Sequence, residues 1–307
     1  MARYVTVASV SQYPKGADSA ARHDEAAVLL GRAARMGAQI VAFPETYHHT
    51  GLPGTTQEVA EGLDGPSLTR MAQEARQNQV YVAWPLYTRE DNRIHNSAVL
   101  LGPTGELVGV YHKMFPTIGE IESGVTPGEG PGVFDTGLGR FGIVICFDLN
   151  FPEVMESTAQ AGAEVIFFCS AYRGGLQLRM WAYLTGTYIV SSVRSELGQI
   201  VDLSGQVLAE STYEGLIVRR INLDRRLMHM DNNWDRMDAI VGKYGSKVSI
   251  DFFTREGCWA VGSESDEFTV DDIMREFGLE PRTDYFRRSR QARKKALRRA
   301  SAEEGRP

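Results

Sequence analysis

Residues 139–148 read GRFGIVICFD, in which a short apolar run, residues 141–145, ends directly at Cys146. A continuous run of this kind is typical of a strand that is buried on both faces of a sheet. Similar runs occur at residues 40–43 (IVAF) and 165–168 (VIFF). Because amphipathic segments separate these runs, the sequence predicts strands that alternate with helices, and hence an α/β fold.

The alternation is interrupted by two predicted hairpins, at residues 94–111 and 198–209. The sheets should therefore be mixed rather than purely parallel. Residues 114–132 are rich in glycine and proline and are predicted to form one long loop, of the kind that is often functional. The helices are predicted at about residues 19–36, 66–79, 152–161 and 174–186.

The composition is that of a globular protein, with 307 residues, 43% of them hydrophobic and 23% charged. No apolar run is long enough for a membrane helix and the start has no signal-peptide pattern, so we expect a cytoplasmic protein. The three cysteines have no C-x-x-C spacing, which argues against a disulfide framework or a zinc site. We expect no metal and no cofactor.

The formal net charge of −6 hides a basic C-terminal end. Residues 282–300 carry nine of the 33 basic side chains and one of the 39 acidic ones, so the rest of the chain is near −14. An acidic body should repel nucleic acid, which makes nucleic-acid binding improbable. The tail is expected to be solvated or to lie on an acidic surface, either of its own chain or of a neighbouring subunit.

The regular pattern is lost from about residue 224, and no second domain with its own core is expected there. We predict a main domain over residues 1–265 and a C-terminal extension over residues 266–307. The extension should contain a short amphipathic helix at residues 269–278, which has a capping-box start and a glycine stop, followed by the basic tail.

Three reactive side chains follow predicted strands. Glu45 follows residues 40–43, Lys113 follows the second strand of the first hairpin, and Cys146 follows residues 141–145. Ligands of open α/β sheets collect beyond the carboxyl ends of the strands, so these groups are candidates for one site. Cys169 also follows an apolar run and is an alternative nucleophile. Histidine is an alternative base, and four are available: His48, His49, His95 and His112.

A thiol, a carboxylate and an ammonium have a definite joint use. A thiolate is a strong nucleophile, and a carboxylate can take its proton and later deliver it to a departing nitrogen. A lysine cation can stabilise the oxyanion that develops on a carbonyl. The combination suits acyl transfer from amides, or attack on nitriles.

Three strings resemble signatures of the nitrilase superfamily of carbon–nitrogen hydrolases: AFPE (42–45), YHKMFPT (111–117), and GRFGIVICFD (139–148) with FPE (151–153). The resemblance covers about residues 4–225. It implies a four-layer αββα sandwich with two mixed sheets, pairing into a homodimer or a higher homo-oligomer, and catalysis without cofactors. It also implies that Glu45 is the general base, Lys113 the stabilising cation and Cys146 the nucleophile. Glu120 resembles the second glutamate of many members, with Glu122 a weaker candidate.

The string Cys146-Phe147-Asp148 resembles the amidase and carbamoylase branches more than the nitrile-hydrolysing ones. We therefore expect hydrolysis of a small amide or N-carbamoyl compound through a Cys146 acyl-thioester. Candidate substrate contacts are Phe147, Tyr172 and Arg173, the last of which can pair with a substrate carboxylate or form a structural salt bridge. One alternative is a nitrilase that converts a nitrile to an acid and ammonia. Another is an inactive binding or scaffold protein that uses its basic tail.

Overall fold

The computed structural model describes residues 2–231 and 233–304, and the chain divides into two compact units, one of residues 4–221 and one of residues 222–304 with the N-terminal residues 2 and 3. The strands of the first unit are β1 (Tyr4–Val10), β2 (Ile40–Ala42), β3 (Tyr81–Glu90), β4 (Arg93–Leu101), β5 (Leu107–His112), β6 (Gly132–Asp135), β7 (Arg140–Ile145), β8 (Val165–Ser170), β9 (Tyr188–Val193), β10 (Gln199–Val201), β11 (Val207–Glu210) and β12 (Leu216–Asn222). Its α-helices are α1 (Ser19–Arg35), α2 (Thr56–Val59), α3 (Pro66–Asn78), α4 (Ile118–Glu122), α5 (Pro152–Gln160) and α6 (Leu176–Thr185).

These strands form two six-stranded sheets, in the orders β12-β1-β2-β3-β4-β5 and β11-β10-β9-β8-β7-β6. In the first sheet β1, β2 and β3 are parallel, while β4 and β5 continue antiparallel. In the second, β7, β8 and β9 are parallel, and β6, β10 and β11 are antiparallel to their neighbours. Both sheets are therefore mixed, as predicted.

The two sheets face each other and carry helices on their outer faces. Hydrogen bonds cross between them, from Ser9 Oγ to the Ser191 carbonyl (2.6 Å) and from Ser192 Oγ to the Ala42 carbonyl (3.0 Å). The apolar faces of α1 and α3 pack on the first sheet, and those of α5 and α6 pack on the second. The predicted four-layer αββα sandwich is confirmed.

Local sequence signals set where the helices begin. Asp18 caps α1 by accepting a hydrogen bond from the backbone of Ala21 (2.8 Å), and prolines occupy the first positions of α3 and α5. The predicted loop at 114–132 is wrong in part, because it contains α4. Thr117 and Glu120 form a capping box at the start of this helix, which satisfies its first backbone donors.

The second unit has its own small sheet and core. Its strands are β13 (Arg225–His229), β14 (Val248–Phe253) and β15 (Cys258–Ser263), and its α-helices are α7 (Met237–Tyr244), α8 (Val270–Phe277) and α9 (Arg282–Glu304). The strands pair antiparallel in the order β13-β15-β14. Trp259, Ile240 and Ile273 belong to one buried apolar cluster, so the expectation that this region lacks a core was wrong. The predicted domain limit at residue 265 stays a prediction.

The predicted short helix is present as α8, and the basic tail forms the long helix α9. At its start, Tyr285 stacks on His229 of β13 with ring centroids 4.4 Å apart. Its later cations are exposed. No helix within residues 2–231 and 233–304 combines the length and the apolar character that a membrane crossing requires.

Candidate active site

The ends of strands from both facing sheets supply the candidate site. Glu45 is the third residue after β2, and Lys113 directly follows β5 in the same sheet. Cys146 directly follows β7 in the opposite sheet and begins a short 3-10 helix, Cys146–Asn150. Because the sheets face each other, these strand ends bring a carboxylate, an ammonium and a thiol into one region.

The Lys113 ammonium bridges two carboxylates. Its Nζ donates to Glu45 Oε1 and to Glu120 Oε2, each at 2.9 Å. Lys113 is 1% exposed and Glu45 is 4% exposed, so this ion pair is shielded from water. Two of the three ammonium hydrogens go to carboxylates, which leaves the third for another acceptor.

Glu120 comes from α4, where the capping box fixes it. The Thr117 backbone N–H donates to Glu120 Oε2 at 2.7 Å, so the same oxygen caps the helix and pairs with Lys113. Glu122, the weaker candidate for this position, is exposed.

Two further side chains hold the carboxylates, and the sequence analysis gave them no role. Asn96, within β4, donates from Nδ2 to Glu45 Oε1 at 2.8 Å and to Glu120 Oε1 at 2.6 Å. Arg194, directly after β9, donates to the Glu45 carbonyl at 2.8 Å and to Glu45 Oε2 at 3.3 Å. A polar residue inside the buried run of β4 was the available signal for Asn96, whereas nothing local distinguishes Arg194 from a surface arginine.

The charges in this cluster are mutually stabilising. Burial lowers the pKa of Lys113. The nearby Glu45 and Glu120 carboxylates, together with Cys146 when it is a thiolate, outweigh burial, so that the pKa of Lys113 lies above its usual value. Burial likewise raises the pKa of Glu120, and the nearby Lys113 cation, with donors that include Asn96, brings it below the usual value. Both groups are therefore charged at neutral pH.

Cys146 has a left-handed backbone conformation, with φ +48°. This conformation is uncommon outside glycine, and it places a sharp turn at the end of β7. The residue is half-buried. Burial and the Glu45 charge raise its pKa to about 11, against the opposing effects of Lys113, the Ala171 N–H and the Ser170 hydroxyl. The resting thiol is therefore protonated at neutral pH and needs a base.

Asp148 ties the cysteine turn to the loop after Lys113. Its carboxylate accepts hydrogen bonds from Tyr111 Oη (2.7 Å) and from the backbone N–H groups of Phe115 and Ile145 (2.9 Å each). The side chain is fully buried. In the sequence, Asp148 is visible only as part of a motif, and the structure places it next to the turn that carries Cys146.

The alternative thiol, Cys169, lies in β8 opposite Ile145 and has no exposed surface. Burial, with a smaller effect of the Glu45 charge, raises its pKa far above the usual value. A thiol that is sealed and protonated is poorly suited to attack a substrate.

The three predicted substrate contacts lie around the same strand ends. Tyr172 is half-buried, and burial, followed by the nearby Cys146, raises its pKa to about 12. Phe147 is half-buried, with its ring edge-on to Phe151 at 5.2 Å. Arg173 is exposed, and its Nε donates to Ser195 Oγ (3.3 Å) and to the Glu196 carbonyl (3.1 Å).

The arrangement is suited to proton transfer and to stabilising negative charge. A buried carboxylate can take the proton of a thiol, and a cation held beside that carboxylate can stabilise the negative charge that develops on an oxyanion. In the part of the chain that the structure describes, no group of His, Cys, Asp and Glu residues is arranged to hold a metal ion.

Comparisons with known proteins bear on the family and the fold of this chain. The pattern of the family described as carbon–nitrogen hydrolase matches residues 6–226. The chain is 28% identical to human deaminated glutathione amidase over 287 residues, which cover 80% of this chain and 85% of that protein. It is 33% identical to a nitrilase of Pyrococcus abyssi over 168 residues, which cover 53% and 63% of the two chains.

Among solved structures, yeast (Saccharomyces cerevisiae) Nit3, a member of the nitrilase superfamily, matches with a TM-score of 0.63. Its sequence is 22% identical, and the match covers 72% of this chain and 90% of that one. The likeness to this structure shows the shared fold, and the family match spans most of the first unit. The chain therefore belongs to the carbon–nitrogen hydrolase family, within the nitrilase superfamily.

Proposed function

We propose that this carbon–nitrogen hydrolase cleaves a small amide or N-carbamoyl compound, with Cys146 as nucleophile, Glu45 as general base and Lys113 as the oxyanion-stabilising cation. The observation that carries the proposal is the bridge from Lys113 Nζ to Glu45 and Glu120, next to the half-buried Cys146. Burial and the Glu45 charge raise the pKa of the Cys146 thiol, and the Lys113 charge lowers it. In this proposal the thiol, the carboxylate and the ammonium all act on the same substrate carbonyl.

The reaction begins with proton transfer from the Cys146 thiol to Glu45 as the sulfur attacks the substrate carbonyl. The carbonyl π electrons move to oxygen, and the oxyanion is stabilised by the free hydrogen of the Lys113 ammonium. Glu45 then gives its proton to the nitrogen as the C–N bond breaks, which releases an amine or ammonia and leaves a thioester. Glu45 next takes a proton from water as the hydroxide adds to the thioester carbonyl. Collapse of the tetrahedral intermediate breaks the C–S bond and releases the acid, and Glu45 returns its proton to the Cys146 thiolate.

Glu120 takes a supporting part in this mechanism. Its carboxylate accepts a hydrogen bond from Lys113, and its proposed part is to hold that cation in place. Tyr172 and Phe147 are proposed to form walls of the substrate site beside Cys146. Arg173 is proposed to meet a substrate carboxylate with its terminal nitrogens, since its Nε is already used by the loop after β9.

The name of the human relative supports an amide substrate, and that of the archaeal relative keeps a nitrile as the second candidate. On a nitrile, the same thiol would add to the C≡N carbon and form a thioimidate, which two waters would hydrolyse to an acid and ammonia. Matched amide and nitrile pairs with the same side chain separate the two activities. Turnover of the nitrile alone would replace the amidase proposal.

The central test compares Cys146→Ala with Cys169→Ala. We expect Cys146→Ala to lose turnover of a panel of amides and carbamoyl compounds while keeping its fold by circular dichroism. Cys169→Ala is the matched control, because it removes a thiol from the adjacent strand, and it should keep most of the activity. Full activity in Cys146→Ala would refute the proposal, and loss in Cys169→Ala alone would move the nucleophile to Cys169.

Mass spectrometry adds an independent readout. A wild-type sample quenched in acid during turnover should carry an acyl group on the peptide that contains Cys146. If the protein turns over no member of the panel and carries no such adduct, the binding or scaffold alternative is favoured. A gel-shift assay with nucleic acid, on the protein with and without residues 282–307, tests that alternative directly. The homo-oligomer, the cytoplasmic location and the catalytic domain over residues 1–265 stay predictions.

A further inference from the structure

Asn96 is a polar residue in a buried part of β4. Its side chain is 1% exposed, and the neighbours Ala98 to Leu100 along the strand are fully buried apolar residues. Among the described residues, its Oδ1 has no hydrogen-bond partner. The orientation of the side-chain amide thus lets its N–H groups donate hydrogen bonds, while its oxygen accepts none. A buried acceptor without a partner costs free energy, so this orientation needs a compensating reason.

The donors of Asn96 close a ring of hydrogen bonds with Lys113. Both Asn96 Nδ2 and Lys113 Nζ donate to Glu45 Oε1, at 2.8 and 2.9 Å. Both also donate to Glu120, the amide to Oε1 at 2.6 Å and the ammonium to Oε2 at 2.9 Å. The backbone carbonyl of Asn96 also accepts a hydrogen bond from the Lys113 backbone N–H at 2.8 Å. The backbone pairing of Asn96 with Lys113 therefore fixes the positions from which both side chains reach the carboxylates.

We propose that Asn96 is a positioning residue for the reaction: it holds the Glu45 and Glu120 carboxylates in place around Lys113, and it leaves Glu45 Oε2 as the oxygen that exchanges the proton. This inference rests on the proposed function. Glu45 Oε1 already accepts two short hydrogen bonds, whereas Oε2 accepts one long bond, from Arg194 at 3.3 Å. The less saturated oxygen is the better proton acceptor.

A neutral donor suits this position. Two carboxylates that share one cation repel each other, and without further donors one of them tends to take a proton. A second cation in place of Asn96 would compete with Lys113 for the thiolate and the oxyanion. An amide supplies two hydrogens and adds no net charge. Among the described residues, the titratable or charged groups that act on these two carboxylates include Lys113, Arg194, His49, Tyr87, Tyr172, Cys146 and Cys169.

The loss of Asn96 has a consequence for pH dependence. The hydrogen bond from Asn96 is one of the causes that lower the pKa of Glu120, after the Lys113 cation and the Thr117 backbone. Without Asn96, Glu120 should take a proton at a higher pH and release Lys113 from its fixed position. The acid limb of the kcat/KM profile should therefore move to higher pH.

The test compares Asn96→Ala with Ser97→Ala. Ser97 is the adjacent buried residue of β4, and its hydroxyl contacts Thr88 and His112 rather than the carboxylates. With an amide that the wild type hydrolyses, we expect Asn96→Ala to lower kcat/KM about tenfold near pH 7 and to move the acid limb upward. Ser97→Ala should keep the wild-type acid limb. Circular dichroism and thermal melting report on folding in both.

Asn96→Asp carries the same test if the alanine variant does not fold, because it matches the size of the side chain. A third carboxylate should move the acid limb further upward. An acid limb equal to that of the wild type, in a folded Asn96 variant, would overturn the inference even if activity fell. Retention of activity by Cys146→Ala would overturn the proposed function instead, so the two failures are distinguishable.

Discussion

Lys113 Nζ lies 2.9 Å from Glu45 Oε1, and both side chains are almost wholly buried. Because both side chains are buried, water could not solvate either charge if its partner were removed. Each is stabilised by the other and by the hydrogen bonds around them, so the pair is expected to be sensitive to the loss of either member.

Replacement of Lys113 by methionine should lower kcat at least about a hundredfold, because the oxyanion loses its cation. The same change removes the cation shared by the buried Glu45 and the half-buried Glu120, and leaves Glu45 only the longer contact with Arg194. It should lower the free energy of unfolding by about 3 kcal/mol. Steady-state kinetics and urea unfolding measure the two effects. Adding Glu120→Gln should recover part of the stability but not the activity, and recovery of both would contradict this assignment.

Replacement of Glu45 by glutamine should separate thiol acidity from catalysis. The Glu45 charge helps to raise the pKa of Cys146 to about 11, so removing it should shift iodoacetamide alkylation of Cys146 to lower pH. Turnover should nevertheless fall at least about a hundredfold, because the proton carrier is gone. Alkylation followed by mass spectrometry, with Cys146→Ala as the unlabelled control, measures the shift. A profile that moves to higher pH would argue against the Glu45–Cys146 interaction.

Replacement of Asp148 by asparagine should destabilise the protein by about 2–3 kcal/mol, since an amide cannot accept from all three donors. Burial raises the pKa of Asp148 to about 6, above its usual 3.8. A raised acid pKa adds stability that is complete below pH 3.8 and is lost as pH rises through 6. The penalty of the variant should therefore be larger at pH 4.5 than at pH 7 in urea unfolding. Tyr111→Phe, which removes one donor, should cost only about 1 kcal/mol.

Replacement of His49 by glutamine should make the protein less sensitive to acid. Burial, with the Arg194 and Arg22 charges, lowers the pKa of His49 from 6.5 to about 4. The folded state therefore binds this proton less readily than the unfolded chain, so stability is complete above pH 6.5 and declines as pH falls toward 4, by up to roughly 3 kcal/mol. Thermal melts from pH 7 to pH 4 should show a shallower decline in the variant. His229→Gln, in the second unit, controls for removing an imidazole, and an equal flattening there would contradict the explanation.

The sequence predicted those parts of the site that sit at the ends of apolar runs. Cys146 and Lys113 directly follow β7 and β5, so the strand pattern alone marks them as candidate site residues. Asn96 and Arg194 could not be placed in this way. Their contacts with Glu45 depend on which strands are neighbours and on how the two sheets face each other, and neither is written in a local pattern.

The second unit was missed for a related reason. Its core joins Ile240, Trp259 and Ile273 from separate short elements, and no single segment carries a long enough apolar period to stand out. The helix α4 was different, because the Thr117–Glu120 capping box is a local signal. The abundance of glycine and proline around it favours a loop, and this wider pattern conceals the four-residue signal.

The turn at Cys146 carries a cost that follows from its positive φ. A residue with a β-carbon is strained there by about 1–2 kcal/mol, and glycine would relieve that strain. Selection for stability alone would therefore favour glycine at position 146. A cysteine at this position is kept only if its thiol has a function that outweighs the strain. If the proposed mechanism holds, a folded Cys146→Gly variant is expected to be more stable than the wild type and inactive.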